Sequence, residues 1–454
     1  MGRVFMSPLG TNKYHPSHYV IEGTKSEEAV PFVQEALLAH FCKEWGEEDR
    51  VLIFCTEKAK EKNWLDGGNF ERGLCSRIDA LGLRAPCTMV PIPDGRNERE
   101  MMDIFMILIE QLRPGDQVFL DITHSFRSLP LLQTVIVNYA KVLKNIQVER
   151  IVYGAFETLG TAAEVQHMPL EERLAPVFDL TPYDALLDWA RAVDIFRKAG
   201  RPQEIKRLVS RNVGPILAHK ESRSANPVAE RLSRFAKALE TLCQDLAAVR
   251  GPKLAKAKGL GEEITEVEDQ DLIAPLTPLF ELLRDKLQRF ETPDPEAKGF
   301  EAAAWCLEHE LIFQAYAIAR ETVLSGLCRC WGHDPLDEAT REGFWSGLLH
   351  VVATKKSMDQ WEGLVRERRE EAQRVISQGG ESIKKLAQEF EKIRDRRNDL
   401  LHGGWKKDTA SAESLVDFLR KGGLTSLRTA WEAYRAEGCA PWAHGHRHGG
   451  EGDR

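Results

Sequence analysis

Gln117-Val118-Phe119-Leu120-Asp121-Ile122-Thr123-His124-Ser125-Phe126-Arg127-Ser128-Leu129-Pro130 is the stretch on which the fold is decided. Gln117 to Asp121, with Val118-Phe119-Leu120 at its centre, is a short run suited to a buried strand. A polar turn follows, and from Ser128 to Leu143 apolar residues recur at helical spacing. A strand that feeds a helix through a polar turn is half of a repeating βα unit. The same grammar recurs on both sides. Strand-like runs cover Val4 to Leu9, Val51 to Cys55, Thr88 to Ile92 and Arg150 to Gly154, and helical patterns cover Glu27 to Trp45, Phe70 to Leu81 and Glu98 to Leu112. Residues 1–170 are therefore expected to form an α/β, Rossmann-like domain, a doubly wound layer with a parallel-rich sheet and helices on both faces.

Open α/β sheets bind ligands at the carboxyl ends of their strands, where helix N-termini add free N–H groups and partial positive charge. Here those ends carry Gly10-Thr11-Asn12, Thr56-Glu57-Lys58, Asp94-Gly95-Arg96-Asn97, Thr123-His124-Ser125-Phe126-Arg127 and Gly154-Ala155-Phe156. A lone Thr-His pair would be read as a helix cap beside a histidine satisfied by a backbone carbonyl. Five polar or glycine-containing strand ends favour a phosphorylated, nucleotide-like ligand instead. The candidate effector-binding residues are Gly10, Thr11, Asn12, Thr56, Glu57, Lys58, Thr123, His124, Ser125, Phe126, Arg127 and Gly154. No G-x-G-x-x-G follows the first strand and no G-x-x-x-x-G-K-[ST] occurs, so neither a dinucleotide cofactor nor a Walker-type ATPase is indicated.

The chain has 454 residues, enough for two or three domains, with 43% hydrophobic and 29% charged residues. Its apolar runs fall short of a membrane span, and the N-terminus enters a strand pattern without a signal-like segment, which predicts a cytoplasmic protein with no membrane role. A net charge of −8 disfavours coating of nucleic acid by bulk attraction and leaves room for a local basic groove. Nine cysteines, scattered singly apart from Cys328-Arg329-Cys330, show no zinc-site spacing and are expected to be reduced and mostly buried. After Leu170 helices dominate: a helix capped by Thr181 with Pro182 at its first position, then Asn226 to Arg250, Ala274 to Phe290, a long helix Ala302 to Leu327, Glu338 to Thr354, Asp359 to Ser377, Glu381 to His402 and Ala412 to Ala436. Residues 171–295 are read as a helical connecting region and 296–443 as a helical domain. Residues 444–454, with His444, His446 and His448 among glycines, are read as a disordered tail.

Arg397-Asn398-Asp399-Leu400-Leu401-His402, closed by Gly403-Gly404, ends the charged helix. A guanidinium can offset charge growing on a scissile phosphate, and an imidazole can move protons near neutral pH, so Arg397 and His402 suit a ribonuclease that needs no metal. Asn398 and His402, four apart, share a helix face, where the amide could orient the ring; Arg397 lies off that face. Two copies facing each other across a two-fold axis would complete a shared groove, flanked by Arg394, Arg396, Lys406 and Lys407. The bland alternative is a solvated helix in which His402 is an ordinary C-terminal cation favoured by the helix dipole. Glu321 suits a surface salt bridge as well as a pairing with a motif arginine and is left out of the catalytic set.

Taken together, Leu9-Gly10-Thr11-Asn12-Lys13-Tyr14, Thr56-Glu57-Lys58-Ala59, Ile92-Pro93-Asp94-Gly95-Arg96-Asn97-Glu98, Asp121-Ile122-Thr123-His124 with Phe126-Arg127-Ser128, and Arg397 to His402 resemble the type III CRISPR-associated CARF–HEPN ribonucleases of the D-x-T-H-G branch. That resemblance implies a CARF sensor at residues 1–170, which binds a cyclic oligoadenylate, cyclic tetra-adenylate first, across a homodimer or higher homo-oligomer. It also implies a HEPN bundle within the all-α C-terminal region that cleaves single-stranded RNA without metal or other cofactor in antiviral defence, with Arg397 and His402 as catalytic residues; the shared helix face adds Asn398 to that set. Ser125 stands where the family motif has glycine. It adds a side chain where the ligand backbone approaches, with a hydroxyl able to donate to a phosphate. Two alternatives remain at this point: a non-catalytic cyclic-nucleotide-responsive regulator, and a sensor whose Thr123-His124 loop also cleaves its own activator.

Overall fold

Strand β1 (Arg3–Leu9) is buried at every residue from Val4 to Leu9, as a strand covered on both faces must be. Its side chains alternate between two apolar layers. Phe5 and Leu9 join Val51 and Ile53 beneath helices α1 (Val33–Phe41) and α2 (Leu74–Ala80), through Val33, Leu37, Leu74 and Ile78. Val4 and Met6 join Leu52, Val118 and Leu120 beneath α3 (Glu98–Gln111) and α4 (Leu129–Lys144), through Ile104, Leu108, Ile136 and Ala140. The computed structural model describes residues 2–124, 129–218, 226–256, 276–405 and 407–439. Two compact units result, Met1–Leu187 and Asp188–Arg454.

In the first unit β4 (Arg50–Cys55), β5 (Cys87–Pro91), β6 (Gln117–Asp121) and β7 (Gln147–Gly154) run parallel to β1 in the order β5-β4-β1-β6-β7. The expected doubly wound, parallel-rich α/β layer is therefore present. Three further strands extend it: β2 (His18–Ile21), β3 (Thr24–Lys25) and β8 (Leu174–Asp179), giving the full order β3-β2-β8-β7-β6-β1-β4-β5. Strand β8 lies past residue 170, so the sheet unit continues beyond the boundary read from sequence. Its proline is tolerated because β8 divides its pairing: Leu174 to Pro176 align parallel with β2, while Val177 to Asp179 align antiparallel with β7.

The second unit is all α. Its apolar core runs continuously from Trp189 to Tyr434, so the segments read as 171–295 and 296–443 share one core rather than packing separately. The long helix expected over Ala302 to Leu327 is instead two helices packed along each other, Pro295–Glu308 and Ile312–Cys330. Glu310, at a φ of +60°, reverses the chain between them. Asp294 caps the first of the pair, accepting from the Glu296 and Ala297 N–H groups at 3.0 and 3.2 Å. The helix Arg369–Leu401 carries the Arg397 motif at its end and is interrupted only at Gly380, whose φ of +48° suits glycine. The glycine-rich 444–454 tail lies outside the described residues. Among the described residues no helix is long and apolar enough to cross a membrane.

One sequence expectation fails on covalent grounds. Cys330 and Cys439 form a disulfide that closes 109 residues of chain; the other seven cysteines are free. Cross-linking so long a loop lowers the entropy of the unfolded chain, a term of about 5 kcal/mol in the chain-entropy picture. Cys439→Ser, or reductant added to the native chain, should lower the urea midpoint of the helical unit. Reductant should have no further effect on the Cys439→Ser variant, which equilibrium unfolding with and without dithiothreitol checks.

Candidate functional site

The strand order reverses direction at β1, so the crevice between the carboxyl ends of β1 and β6 is the switch point at which this class of sheet takes its ligands. A buried carboxylate spans that crevice. Asp121, the last residue of β6, accepts from Ser7 Oγ of β1 at 2.6 Å on one oxygen. On the other it accepts from the Thr123 N–H at 2.9 Å and Thr123 Oγ1 at 2.5 Å. Gln34 of α1 donates in turn to Ser7 Oγ and to the Pro8 carbonyl at 3.0 and 3.1 Å. Burial pushes the Asp121 carboxyl above its ordinary range, and the donors from Ser7 and Thr123 pull it part of the way back. Thr123 Oγ1 also accepts from the Gly154 N–H at 2.8 Å, so the ends of β1, β6 and β7 are tied through three residues.

The next side chain along is His124, whose ring stacks on Tyr14 with centroids 4.2 Å apart and planes 22° apart. Desolvation lowers its pKa to about 4, so at neutral pH it presents an uncharged ring, and its buried Nε2 has no hydrogen-bond partner among the described residues. Gly10 lies directly opposite. A Cβ there would come within 2.3 Å of Tyr14 Oη and 3.6 Å of the His124 Cβ, so glycine is what lets the Tyr14-His124 pair close over the end of β1. At Gly154 a Cβ would come within 2.7 Å of Val33, which makes that glycine a packing requirement as well.

The other predicted residues divide by role. Thr56 is buried and its hydroxyl caps the turn after β4, accepting from the Ala59 N–H at 3.3 Å, while Glu57 and Lys58 are exposed and Glu57 pairs with Lys60 at 3.1 Å. Thr11 is half-buried and Asn12 exposed; their backbone is held by Asn63 and Asn69, with Asn63 Nδ2 donating to the Gly10 and Asn12 carbonyls at 2.9 and 2.8 Å. Ser125, Phe126 and Arg127 lie outside the described residues. The structure therefore brings Gly10, Thr123, His124 and Gly154 together and adds Ser7, Tyr14, Gln34 and Asn63, which were not among the site predictions. Tyr14 could have been found, because it closes the Leu9 to Tyr14 stretch that carried the first strand-end loop.

In the helical unit the end of the Arg369–Leu401 helix is set by hydrogen bonding. His402 is the C-terminal cap, and the Gly404 and Gly403 N–H groups return to the Asp399 and Leu400 carbonyls at 3.0 and 3.1 Å, with φ of +72° and +60°. This is the Schellman arrangement, and it needs left-handed residues where the glycines stand. Asp399 is buried and structural: its carboxylate accepts from the Ala410 N–H at 2.8 Å and Thr409 Oγ1 at 3.2 Å. His402 is exposed. Asn398 accepts from Arg397 Nη1 at 3.2 Å, so the amide engages the guanidinium of its own helix turn rather than orienting the imidazole. Arg397 is half-buried, and its Nε has no partner among the described residues. Its pKa is lowered first by desolvation and then by the nearby positive charge of Arg320, which Glu342 opposes.

Arg320 itself is buried and chelated by Glu342 at 2.8 and 2.5 Å, and Glu321 bridges Arg320 and Arg341. Glu321 thus serves neighbouring arginines. Of the expected basic flank, Arg394 is held by Glu391 at 2.6 Å and Arg396 lies over the Phe418 ring at 3.8 Å. Lys407 is exposed and Lys406 lies outside the described residues. Among the described residues no three His, Cys, Asp or Glu side chains are grouped to hold a metal ion.

The fold and site thus define an open α/β unit with a polar switch-point crevice, joined in one chain to an all-α unit that ends a helix on arginine and histidine. No family model matches the chain. Over 234 residues, 51% of its length, it is 27% identical to the CRISPR-associated protein MJ1674 of Methanocaldococcus jannaschii, and the chain spans about a third, 32%, of that relative. Csm6 of Enterococcus italicus, solved bound to cyclic hexa-2′-fluoro-hexa-dAMP, aligns with a TM-score of 0.47 and 11% identity over 96% of this chain and 95% of that one.

The His124 environment has a pH signature. A histidine whose folded pKa lies below its unfolded value leaves the unfolded chain to take up the proton first. Stability is therefore full above about pH 6.5 and falls as pH drops toward about 4, by up to roughly 3 kcal/mol. Urea denaturation of the native chain and of His124→Asn at pH 7, 5.5 and 4.5 should show a steeper acid loss in the native chain.

Proposed function

We propose that this chain is a CRISPR-associated endoribonuclease switched by a cyclic oligoadenylate, best matched by cyclic tetra-adenylate, and that it acts in the cytoplasm in antiviral defence. Its similarity over 51% of its length to a CRISPR-associated protein supports the setting. In this reading Met1–Leu187 is a CARF-type sensor and the helical unit carries a HEPN-type ribonuclease. The observation that carries it is the pairing, in one chain, of a switch-point crevice containing a neutral imidazole, unpartnered among the described residues, with a separate helix end that presents Arg397 and His402. A neutral His124 suits hydrogen bonding to a nucleobase or ribose better than neutralising a phosphate. Helix N-termini and backbone N–H groups at the strand ends suit the phosphates.

In the helical unit the chemistry is transesterification. The ribose 2′-oxygen attacks the adjacent phosphorus, its proton passes to a base, the P–O5′ bond breaks, and the leaving oxygen is protonated, giving a 2′,3′-cyclic phosphate. His402 moves protons at the reacting oxygens and Arg397 offsets the growing negative charge, with Asn398 holding the guanidinium in place. No step calls for a metal. Five residues on an ideal helix separate Arg397 and His402 by about 140° around the axis and about 7.5 Å along it. One helix end cannot place both on one phosphate, so two copies combine, each giving its arginine and histidine to a common groove. Helices α3 and α4 supply an apolar face for such pairing: Met102 and Met106 on one, Val135, Tyr139 and Val142 on the other are exposed, Val142 to 82%. Phe105 and Tyr139 join the two helices edge to face at 5.5 Å.

Two measurements test this reading. Cleavage of single-stranded RNA in EDTA should rise with cyclic tetra-adenylate and fall about 100- to 10,000-fold in His402→Ala. Equal cleavage by native and variant chains would sink the ribonuclease assignment and leave a non-catalytic, nucleotide-responsive regulator. In sedimentation the native chain should run at twice the chain mass, and Val142→Asp should shift it toward the monomer while leaving its circular dichroism unchanged.

A further inference from the structure

Trp405 is the most exposed large apolar side chain among the described residues, at 94%, and it stands three residues beyond His402. The turn that presents it is built and anchored. The Trp405 N–H returns to the His402 carbonyl at 3.2 Å, the two glycines fix the preceding reversal, and the buried Asp399 carboxylate ties down Thr409 and Ala410 on the far side. A Cβ on Gly404 would lie 2.8 Å from Thr409 Oγ1, so the two sides of the turn are in close contact. An anchored residue that leaves so large an apolar ring in water forgoes the stabilisation that burying it would contribute.

The surroundings select the occupant. Trp405 stands on the helix end that carries Arg397 and is capped by the exposed His402, and the acid within the motif, Asp399, is turned inward. Lys407 offsets Asp408, both exposed in the same turn. A ligand seated here must combine a flat aromatic face with negative charge, which is the chemistry of a single-stranded polynucleotide: bases stack on exposed aromatic rings while the backbone follows cations. We propose that the Trp405 indole is a stacking platform for a nucleobase beside the scissile phosphate, an inference that rests on the ribonuclease reading above and assigns that site a substrate contact. A second copy of this chain, or another protein, is the competing occupant.

The test uses the full chain, saturating cyclic tetra-adenylate and a fully 2′-O-methylated single-stranded RNA, which binds but lacks the attacking hydroxyl. By fluorescence anisotropy Trp405→Ala should bind about 5- to 100-fold more weakly than the native chain, the range expected for loss of one base–aromatic stack, and Trp405→Phe should keep most of the affinity. With cleavable RNA, Trp405→Ala should raise KM while kcat changes less than about threefold, whereas loss of structure would lower kcat. Unchanged affinity in Trp405→Ala, no binding by the native chain, or weakened binding accompanied by loss of the dimer in sedimentation would each overturn the assignment. The two readings fail separately: cleavage that survives His402→Ala removes the ribonuclease reading, whereas the affinity comparison needs no cleavage.

Discussion

The buried Asp121 carboxylate is the interaction on which the switch-point crevice depends. Its two oxygens take three donors from two positions, Ser7 on the neighbouring strand and Thr123 on the following turn, and Thr123 passes the link to the end of β7. Each donor to a charged acceptor is worth roughly 1.5–3 kcal/mol, and leaving any of them unmatched in this dry position costs a comparable amount. The carboxylate therefore fixes the spacing of the three strand ends. That spacing brings the His124 ring onto Tyr14 and Tyr14 against Gly10. Without the tie, the turn after β6 would have no reason to place a neutral imidazole at the switch point.

The helical unit uses buried charge differently. In an acidic chain, positive potential at one helix end has to be concentrated there: Arg397 lies in the field of Arg320, opposed by Glu342, and Arg320, Arg341 and Arg397 together face two acids, Glu321 and Glu342. Glu342 chelates Arg320, Glu321 spans Arg320 and Arg341, and Arg397 keeps a buried Nε without a partner among the described residues. A guanidinium held this way is already partly desolvated, so a phosphate that reaches it meets a stronger interaction than an exposed lysine would offer. Arg394 and Arg396, which the sequence pattern would count as equal contributors, are engaged with Glu391 and Phe418.

The parts of the fold that could be read from the chain are those in which local pattern and tertiary environment agree. The five parallel strands show as apolar runs because helices cover both faces. Strand β8 escapes because Pro176 and its partly exposed residues argue against a strand, and only its split pairing reconciles them. The break at His309-Glu310-Leu311 carries neither glycine nor proline, so helical periodicity runs straight through it. At the site, Thr123, His124, Gly10 and Gly154 were legible from their places at strand ends. Ser7 and Gln34 were not, since a single serine in an apolar strand and a glutamine in an apolar helix have no local signature; their meaning lies in contacts 114 and 27 residues apart in sequence. The Cys330–Cys439 bridge was hidden for the same reason, since connectivity is a property of the folded chain.

The geometry of the Arg397 helix also constrains how a signal could act. A ligand shifts activity only by binding one arrangement of the protein better than another. If arginine and histidine converged on one phosphate within a single chain, the site would be complete whenever the helix was folded, and a sensor would have little to control. In the proposed reading, because they diverge by about 140°, the catalytic arrangement would exist only in the relation between two helix ends. That relation can be altered by a small rigid-body change without unfolding or rebuilding any element. In the proposed reading, the divergence that makes six residues look inadequate as an active site is what makes them controllable. The cap built from Asp399, Gly403 and Gly404 would then keep each half in shape while the halves moved.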